Sequence, residues 1–270
     1  MAGERLSAVI VGASSDIGLA LAKHWASIGI DVTGSYRTAS DEVLLSKDLF
    51  TNLFHCDFSN KDSMNKFLRQ MVTSGIQWDV LVICPGTMNP IGPFSSCDID
   101  EWEKGVSVNL LSPLRIVSGL LDSRRKSKAM PLVVFFAGGG VNGAPINYSS
   151  YTTSKIALIK AVELLDAEFE DVRFSIIGPG WVKTKIHQET LSASERAKSS
   201  ANETRRRLDL GDFNPMDKVI ECVDWLLNAP KTIIGGRNFS VAHDRWGDAQ
   251  LEASLRDDDN MYKLRRRGNI

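Results

Sequence analysis

The sequence predicts a doubly wound α/β fold in a single domain, a parallel sheet with helices on both faces. Three observations predict it. Seven short β-branched or aliphatic runs alternate with segments whose apolar residues recur at helical spacing. The first run opens through a glycine-bearing turn onto a helix. The chain has 270 residues and 43% hydrophobic composition, enough to bury one substantial core. Parallel neighbours need crossover connections, and right-handed crossovers place helices on both faces, so ligands bind beyond the carboxyl ends of the strands.

The elements follow in order. Ser7–Val11 is a short aliphatic run, and Ile17–Ile28 after it carries apolar residues at helical spacing. Ile30–Tyr36 and Asn52–Cys56 supply the second and third strands, with a helix predicted over Ser63–Thr73. Val80–Cys84 is the fourth strand, followed by one long helical pattern, Asp100–Ser118. Leu132–Phe136, the helix Tyr151–Glu168 and the strand Arg173–Ile177 continue the alternation, and Met216–Leu227 with Asn238–Val241 completes it. Two segments stand outside the pattern: Lys185–Asn214, polar and charged, and the tail after His243. The expected organisation is a nucleotide-type domain over 1–243, with an insertion at 185–214, and a tail over 244–270.

Composition excludes some functions. Lys and Arg total 32 against 33 Asp and Glu, so no global positive field holds nucleic acid or an anionic membrane. The start of the chain reads neither as a signal peptide nor as a membrane span, which makes a cytoplasmic location the expectation. Cys56, Cys84, Cys97 and Cys222 are scattered without a CxxC pair, so neither a zinc site nor a disulfide framework is indicated, and they read as buried thiols.

The first strand runs into Gly12-Ala13-Ser14-Ser15-Asp16-Ile17-Gly18. Glycines let a backbone approach a pyrophosphate closely, and a helix N-terminus offers unpaired N–H groups and a favourable dipole. Val11–Gly18, VGASSDIG, resembles the TGASSGIG turn of short-chain dehydrogenases/reductases, departing at Val11 and at Asp16, where the middle glycine is absent. Asp16 can cap the helix, provided that its carboxylate points away from the phosphates. The resemblance implies a Rossmann-like fold and a nicotinamide cofactor. Arg37, beside Ser35 and Thr38, replaces the acid that grips ribose hydroxyls in NAD-specific relatives, so NADP is favoured, with NAD left open. Asp57-Phe58 matches the position where an acid meets the adenine amino group. Ile83-Cys84-Pro85-Gly86 stands where the family has NNAG, keeping only Gly86 to line the adenosine ribose.

Tyr151-Thr152-Thr153-Ser154-Lys155 matches the family's YxxxK, whose ends share a helix face. The resemblance implies that Tyr151 passes a proton while hydride moves, and that Lys155 lowers the phenol's pKa and holds the nicotinamide ribose. Asn109 matches the family Asn that holds a helix kink and supports the proton relay, with Trp102 before it in the same pattern. Pro179-Gly180-Trp181-Val182-Lys183-Thr184 resembles PGxVxT, in which Pro179, Gly180, Val182 and Thr184 would contact the carboxamide. One departure weakens the catalytic reading: the family serine thirteen positions before the tyrosine is Gly138. Losing a donor that polarises a carbonyl costs about a hundredfold or more in rate. The backbone of Gly138-Gly139-Gly140, Asn142, Asn147, Ser149 and Ser150 are the candidate substitutes.

The family places its substrate-binding insertion after the sixth strand, where Lys185–Asn214 lies. Its Arg196, Lys198 and Arg205-Arg206-Arg207 lean toward a polar or phosphorylated ligand, and a solvated helical lid is the equal alternative. His187 on so charged a segment reads as solvated. The AGGG run before YxxxK, PGWVKT and the basic tail are similar to a branch associated with bacterial surface-polysaccharide and nucleotide-sugar pathways. The expected function is hydride transfer between NADP(H) and an alcohol or ketone of a small polar substrate, a sugar or nucleotide sugar being the candidate. The alternative is a dinucleotide-sensing binding protein with weakened chemistry. A homodimer or homotetramer through the Asn109 and Tyr151 helices is what the resemblance implies.

Overall fold

The computed structural model describes residues 5–39, 42–43, 46–126 and 129–266; the tail residues 267–270, Arg267 among them, lie outside the described residues. Seven strands, β1 (Ser7–Val11), β2 (Asp31–Tyr36), β3 (Asn52–His55), β4 (Val80–Ile83), β5 (Leu132–Phe136), β6 (Arg173–Gly178) and β7 (Asn238–Ser240), form one sheet in the order β3-β2-β1-β4-β5-β6-β7. Every pairing is parallel. Side chains alternate across such a sheet with period two. Ala8, Ile10, Val80, Val82, Leu132 and Val134 accordingly enter one core, and Val9, Val11, Leu81, Ile83, Val133 and Phe135 the other.

Helices α1 (Asp16–Ser27) and α2 (Lys61–Thr73) cover opposite faces: Leu21 and Trp25 join the first core, Phe67 and Met71 the second. The single helix expected over Asp100–Ser118 is instead three pieces: α3 (Ile99–Val106), one π-helical turn at Ser107–Leu111, and α4 (Ser112–Leu120). Pro113 has no N–H to return to the Asn109 carbonyl four residues back, and Ser112 bonds Ser107, five back, so the turn widens there. Helix α5 (Ser149–Glu168) follows β5 and packs Leu158, Ile159 and Val162 into the second core.

The 185–214 segment folds as three short helices, α6 (His187–Ser192), α7 (Ser194–Ala197) and α8 (Ser199–Leu210). Ala193, Ala197 and Ala201 pack on Ile91, Tyr148, Met88 and Tyr151 in a third apolar cluster. This lid is therefore bedded, with only its outer face solvated. Helices α9 (Met216–Asn228), α10 (Lys231–Ile234) and α11 (Ala249–Asp257) complete the first face. The chain after α11 returns to the edge strand, where Asn238 N–H donates to the Tyr262 carbonyl at 2.9 Å and so covers an otherwise open edge. Arg237, 2% exposed, holds this corner: it donates to the carbonyls of Thr232, Ile233, Leu255, Asp258 and Met261. Among the described residues no helix is long and apolar enough to cross a membrane.

Candidate active site

The strand order reverses direction between β1 and β4, and a crevice opens there at the carboxyl ends, as open α/β sheets require. A cleft of about 1410 Å³ runs through it. Gly12, Ser14, Ser15, Asp16, Ile17, Arg37, Asp57, Phe58, Gly86, Tyr151, Lys155, Pro179, Gly180, Val182 and Thr184 all line that cleft; Gly18 and Asn109 stand behind its wall.

The turn after β1 is built for close approach. Gly12 has φ +80°, and a Cβ there would come within 2.8 Å of the Pro85 ring across the crevice. A Cβ on Gly18 would strike the Gly12 carbonyl oxygen at 2.5 Å. Two expectations are corrected here. Ser35 is buried off the cleft wall, where it accepts the Gly12 N–H at 3.0 Å, so its hydroxyl does not reach a ligand phosphate. Ser15, not Asp16, caps α1, accepting the Gly18 N–H at 3.1 Å. Asp16 turns toward the lid instead: its carboxylate accepts the Lys185 N–H at 2.7 Å, and the Lys185 ammonium lies 3.8 Å from it and 3.1 Å from Glu42.

At the far end Arg37 is exposed, and no described residue pairs with it. Asp57 accepts the Ser59 N–H at 2.9 Å and its hydroxyl at 2.8 Å, which fixes the carboxylate. Phe58 is buried, its carbonyl held by Ser112 Oγ at 2.7 Å.

At the near end Lys155 is buried and donates to the Phe136 carbonyl at 2.8 Å. Burial pulls its pKa down to about 8. Tyr151 is half-buried, and desolvation, with the Glu189 charge adding, pushes its phenol up to about 12. The lowering expected from Lys155 gives way to the opposite shift, because the phenol is desolvated beside a carboxylate. Asn109, fully buried, accepts the Thr87 N–H at 2.9 Å and donates to the Thr87 carbonyl at 2.8 Å. It fastens the loop after β4 to the π-helical turn. Pro113 was the sequence signal for that kink.

A stability test follows from Lys155. Its folded value, about 8, lies below the 10.5 of an unfolded lysine, so below pH 8 the native state carries a buried charge, and stability rises as pH climbs from 8 toward 10.5. Tyr151 acts oppositely, losing stability above pH 10. The gap in urea midpoint between Lys155→Met and wild type is expected to narrow between pH 7.5 and 9.5, while the buried thiols of Cys56, Cys84 and Cys222, pushed up to about 12, lower both midpoints above pH 9. At pH 7.5 that variant should be more stable by on the order of 2 kcal/mol.

Gly138 is where the structure is most informative. A Cβ at this position would lie 2.5 Å from the Tyr151 hydroxyl and 2.6 Å from Cζ. The tyrosine ring fills the space that a side chain at 138 needs. Two proposed substitute donors are engaged elsewhere, Ser150 donating to the Trp102 carbonyl and Asn147 to the Arg196 carbonyl, and Ser149, which accepts from Trp102 Nε1, lies off the cleft wall. Asn142 and the 138–140 backbone remain on the cleft wall, and no described group accepts from their N–H groups.

The lid supplies the rest. Gly180 has φ +73°, and any Cβ would collide with the Asn214 amide, which donates to the Pro179 carbonyl at 3.0 Å. His187 is not solvated: it is buried, stacks on Trp181 with ring centroids 3.9 Å apart, and bonds the Val182 carbonyl at 2.9 Å. Burial lowers its pKa. The basic run is less available than its sequence suggests, because Arg206 and Arg207 pair with Glu203 and Asp212, holding the Glu203 carboxyl down to about 2. Glu189 is the site residue that sequence reasoning missed; in a charged helical segment nothing marked it out.

Comparison with known proteins agrees with this architecture. The short chain dehydrogenase family model matches residues 7–195. Curated relatives include a 2-dehydro-3-deoxy-D-gluconate 5-dehydrogenase of Pseudoalteromonas atlantica, 27% identical over 70% of this chain and 77% of its own length. A 3-oxoacyl-[acyl-carrier-protein] reductase of Buchnera aphidicola is 24% identical over 88% of this chain and 96% of its own. Among solved structures, a Saccharomyces cerevisiae short chain dehydrogenase/reductase superposes with TM-score 0.75 at 20% identity, covering 92% of this chain and 98% of the other. A Shigella flexneri short chain dehydrogenase complexed with NADP gives 0.74 at 19%, covering 88% and 97%. With the Gly12 turn at the switch point, Tyr151 and Lys155 on one helix face, and a family match spanning most of the sheet, the chain belongs to the short chain dehydrogenase family and is an oxidoreductase.

Proposed function

We propose that the protein transfers a hydride between NADP(H) and an alcohol or ketone carbon of a small polar substrate, with Tyr151 exchanging the proton. One observation carries this reading: a single cleft joins Arg37 and Asp57, the Gly12 turn, and the Tyr151–Lys155 pair. The residues fit a dinucleotide. Gly12 leaves a wall that a Cβ would disrupt, Gly18 behind it lets the turn close, and a Cβ on Gly86 would crowd Asn109 Oδ1 at 3.3 Å. The volume also exceeds the roughly 300–1,000 Å³ of an ordinary small-molecule site, as a cofactor plus a substrate demands. When bound, the nicotinamide supplies or takes the hydride.

The chain's residues do the remainder. Ser15 and the first turn of α1 receive the pyrophosphate, Asp57 faces the adenine, and Arg37 meets a 2′-phosphate. Lys155, Val182 and Thr184 orient the nicotinamide half. Tyr151 stays protonated at neutral pH, which suits a donor to a carbonyl oxygen. Asn109 acts on the relay by fixing Thr87, and the lid excludes water.

On a mainly apolar wall, Glu189, Asn142 and the open 138–140 backbone N–H groups supply the polar contacts that support a hydroxyl-bearing substrate such as a sugar. A nucleotide sugar draws less support, since Arg206 and Arg207 already hold carboxylates. Exposed Leu111 and Leu164 on the Asn109 and Tyr151 helices support a homodimer or homotetramer. Gly138 favours the second reading, a dinucleotide sensor without turnover.

The test is fluorescence titration with NADPH and NADH, followed by deuteride transfer from labelled NADPH to hydroxyketones. NADPH is expected to bind at least about tenfold more tightly than NADH, and Arg37→Ala to remove most of that gap. Binding without transfer to any ketone supports the sensor; no binding of either cofactor sinks both readings.

A further inference from the structure

We propose that Glu189 reads the substituent beside the reacting carbon, accepting a hydrogen bond from a hydroxyl or ammonium group and rejecting carboxylates and phosphates. The inference deepens the hydride-transfer reading and rests on it.

The carboxylate is held by one oxygen only. Glu189 Oε2 accepts the Met88 N–H at 2.6 Å, the Thr87 hydroxyl at 2.9 Å and the Asn89 N–H at 3.2 Å. Thr87 is itself fixed by Asn109, so the lid residue is fastened to the part of the structure that positions the site. Oε1 accepts nothing from any described residue, and it is not buried. Glu189 lines the same cleft as Tyr151, and its charge reaches the phenol.

All three partners of Oε2 are neutral. The other acids on this wall are compensated: Glu203 by Arg206 and Arg207, Asp16 by Lys185. Among the described residues no cation lies within ion-pair distance of Glu189, and Lys155 on the same cleft is turned to the Phe136 carbonyl. In a partly desolvated cleft the Glu189 charge repels an anionic substituent and strengthens a hydrogen bond from an O–H or N–H donor. The expectation of a phosphorylated ligand, drawn from the arginine-rich insertion, gives way to a neutral or cationic one. A ketone flanked by hydroxyl or amino groups fits, and a keto acid does not.

The clamp makes one substitution unusually diagnostic. In Glu189→Gln the position of Oε2 still faces three donors, so the amide oxygen must occupy it, and the –NH₂ takes the open position. An acceptor toward the substrate becomes a donor. The preference should then invert, whereas a lid residue with a purely structural role would weaken all substrates alike.

The experiment uses the NADPH-loaded protein and four matched ketones: 1-hydroxy-2-butanone, 1-amino-2-butanone, 2-butanone and 2-oxobutanoate. The readouts are kcat/KM for NADPH oxidation and, independent of turnover, quenching of bound-NADPH fluorescence. Wild type is expected to favour both donor-bearing ketones over 2-butanone by about tenfold, the worth of one charge-assisted hydrogen bond, with 2-oxobutanoate last. Glu189→Gln should lose the preference for the amine and gain about tenfold on 2-oxobutanoate. An unchanged ranking in Glu189→Gln, or four ketones bound and used alike by wild type, overturns the assignment while leaving hydride transfer standing. Failure of NADPH itself to bind strikes the underlying reading, and the inference falls with it.

Discussion

Gly138→Ser is expected to lower turnover about a hundredfold instead of restoring a missing family hydroxyl, an effect of the size that a displacement near 1 Å produces in a catalytic group. The new Cβ would sit 2.5 Å from the Tyr151 hydroxyl and 2.7 Å from Cε1, and the phenol is the group that must move. Tyr151→Phe, which removes the proton itself, should cost roughly 10²–10⁴ in kcat with NADPH affinity nearly intact. The double variant separates the two causes: Gly138→Ser should add little on top of Tyr151→Phe, since both act through one phenol. A Gly138→Ser enzyme faster than wild type would show that the tyrosine yields and that the serine's donor had been the missing element.

Arg237→Ala should destabilise the protein by on the order of 3–5 kcal/mol, because removing one partner leaves buried groups unpaired. The guanidinium donates at 2.6 Å to the Ile233 and Leu255 carbonyls, at 2.9 Å to Thr232, and at 3.1 Å to Asp258 and Met261. These are the last carbonyls of α10 and α11 and the start of the returning tail, the groups that a helix C-terminus leaves without donors. Asp259, at 3.9 Å and 94% exposed, adds little. Burial lowers the arginine's pKa, and the planar fork that serves five carbonyls at once is what lysine lacks, so Arg237→Lys should recover less than half of the loss. Denaturant midpoints measure the size. Earlier proteolysis within 249–266 would place the loss in the tail, and an unaltered midpoint would show that solvent replaces all five bonds.

Much of the fold was legible along the chain. A buried parallel strand must be apolar on both faces, so Val9–Val11, Val80–Ile83 and Leu132–Phe136 announce themselves as short aliphatic runs. The turn from Gly12 to Gly18 and the Tyr151–Lys155 spacing were equally visible, since backbone conformation and helix periodicity are local properties. The insertion was harder. Its charged surface hid the alanines at 193, 197 and 201, which pack it onto Tyr148 and Tyr151.

What the sequence determined by itself was therefore the alternation of elements, the family resemblance and the candidate residues, because each rests on neighbours a few positions apart. Only the tertiary structure decided which side chains were free to act. Ser35 was held off the cleft wall on a backbone N–H from 23 residues away, Asp16 was taken by Lys185 from 169 away, and Gly138 by the Tyr151 ring. Glu189 gained its place from donors about a hundred residues distant. Hydrogen-bond partners and excluded volume depend on what folding brings within a few ångströms, and the order of residues along the chain does not carry that distance.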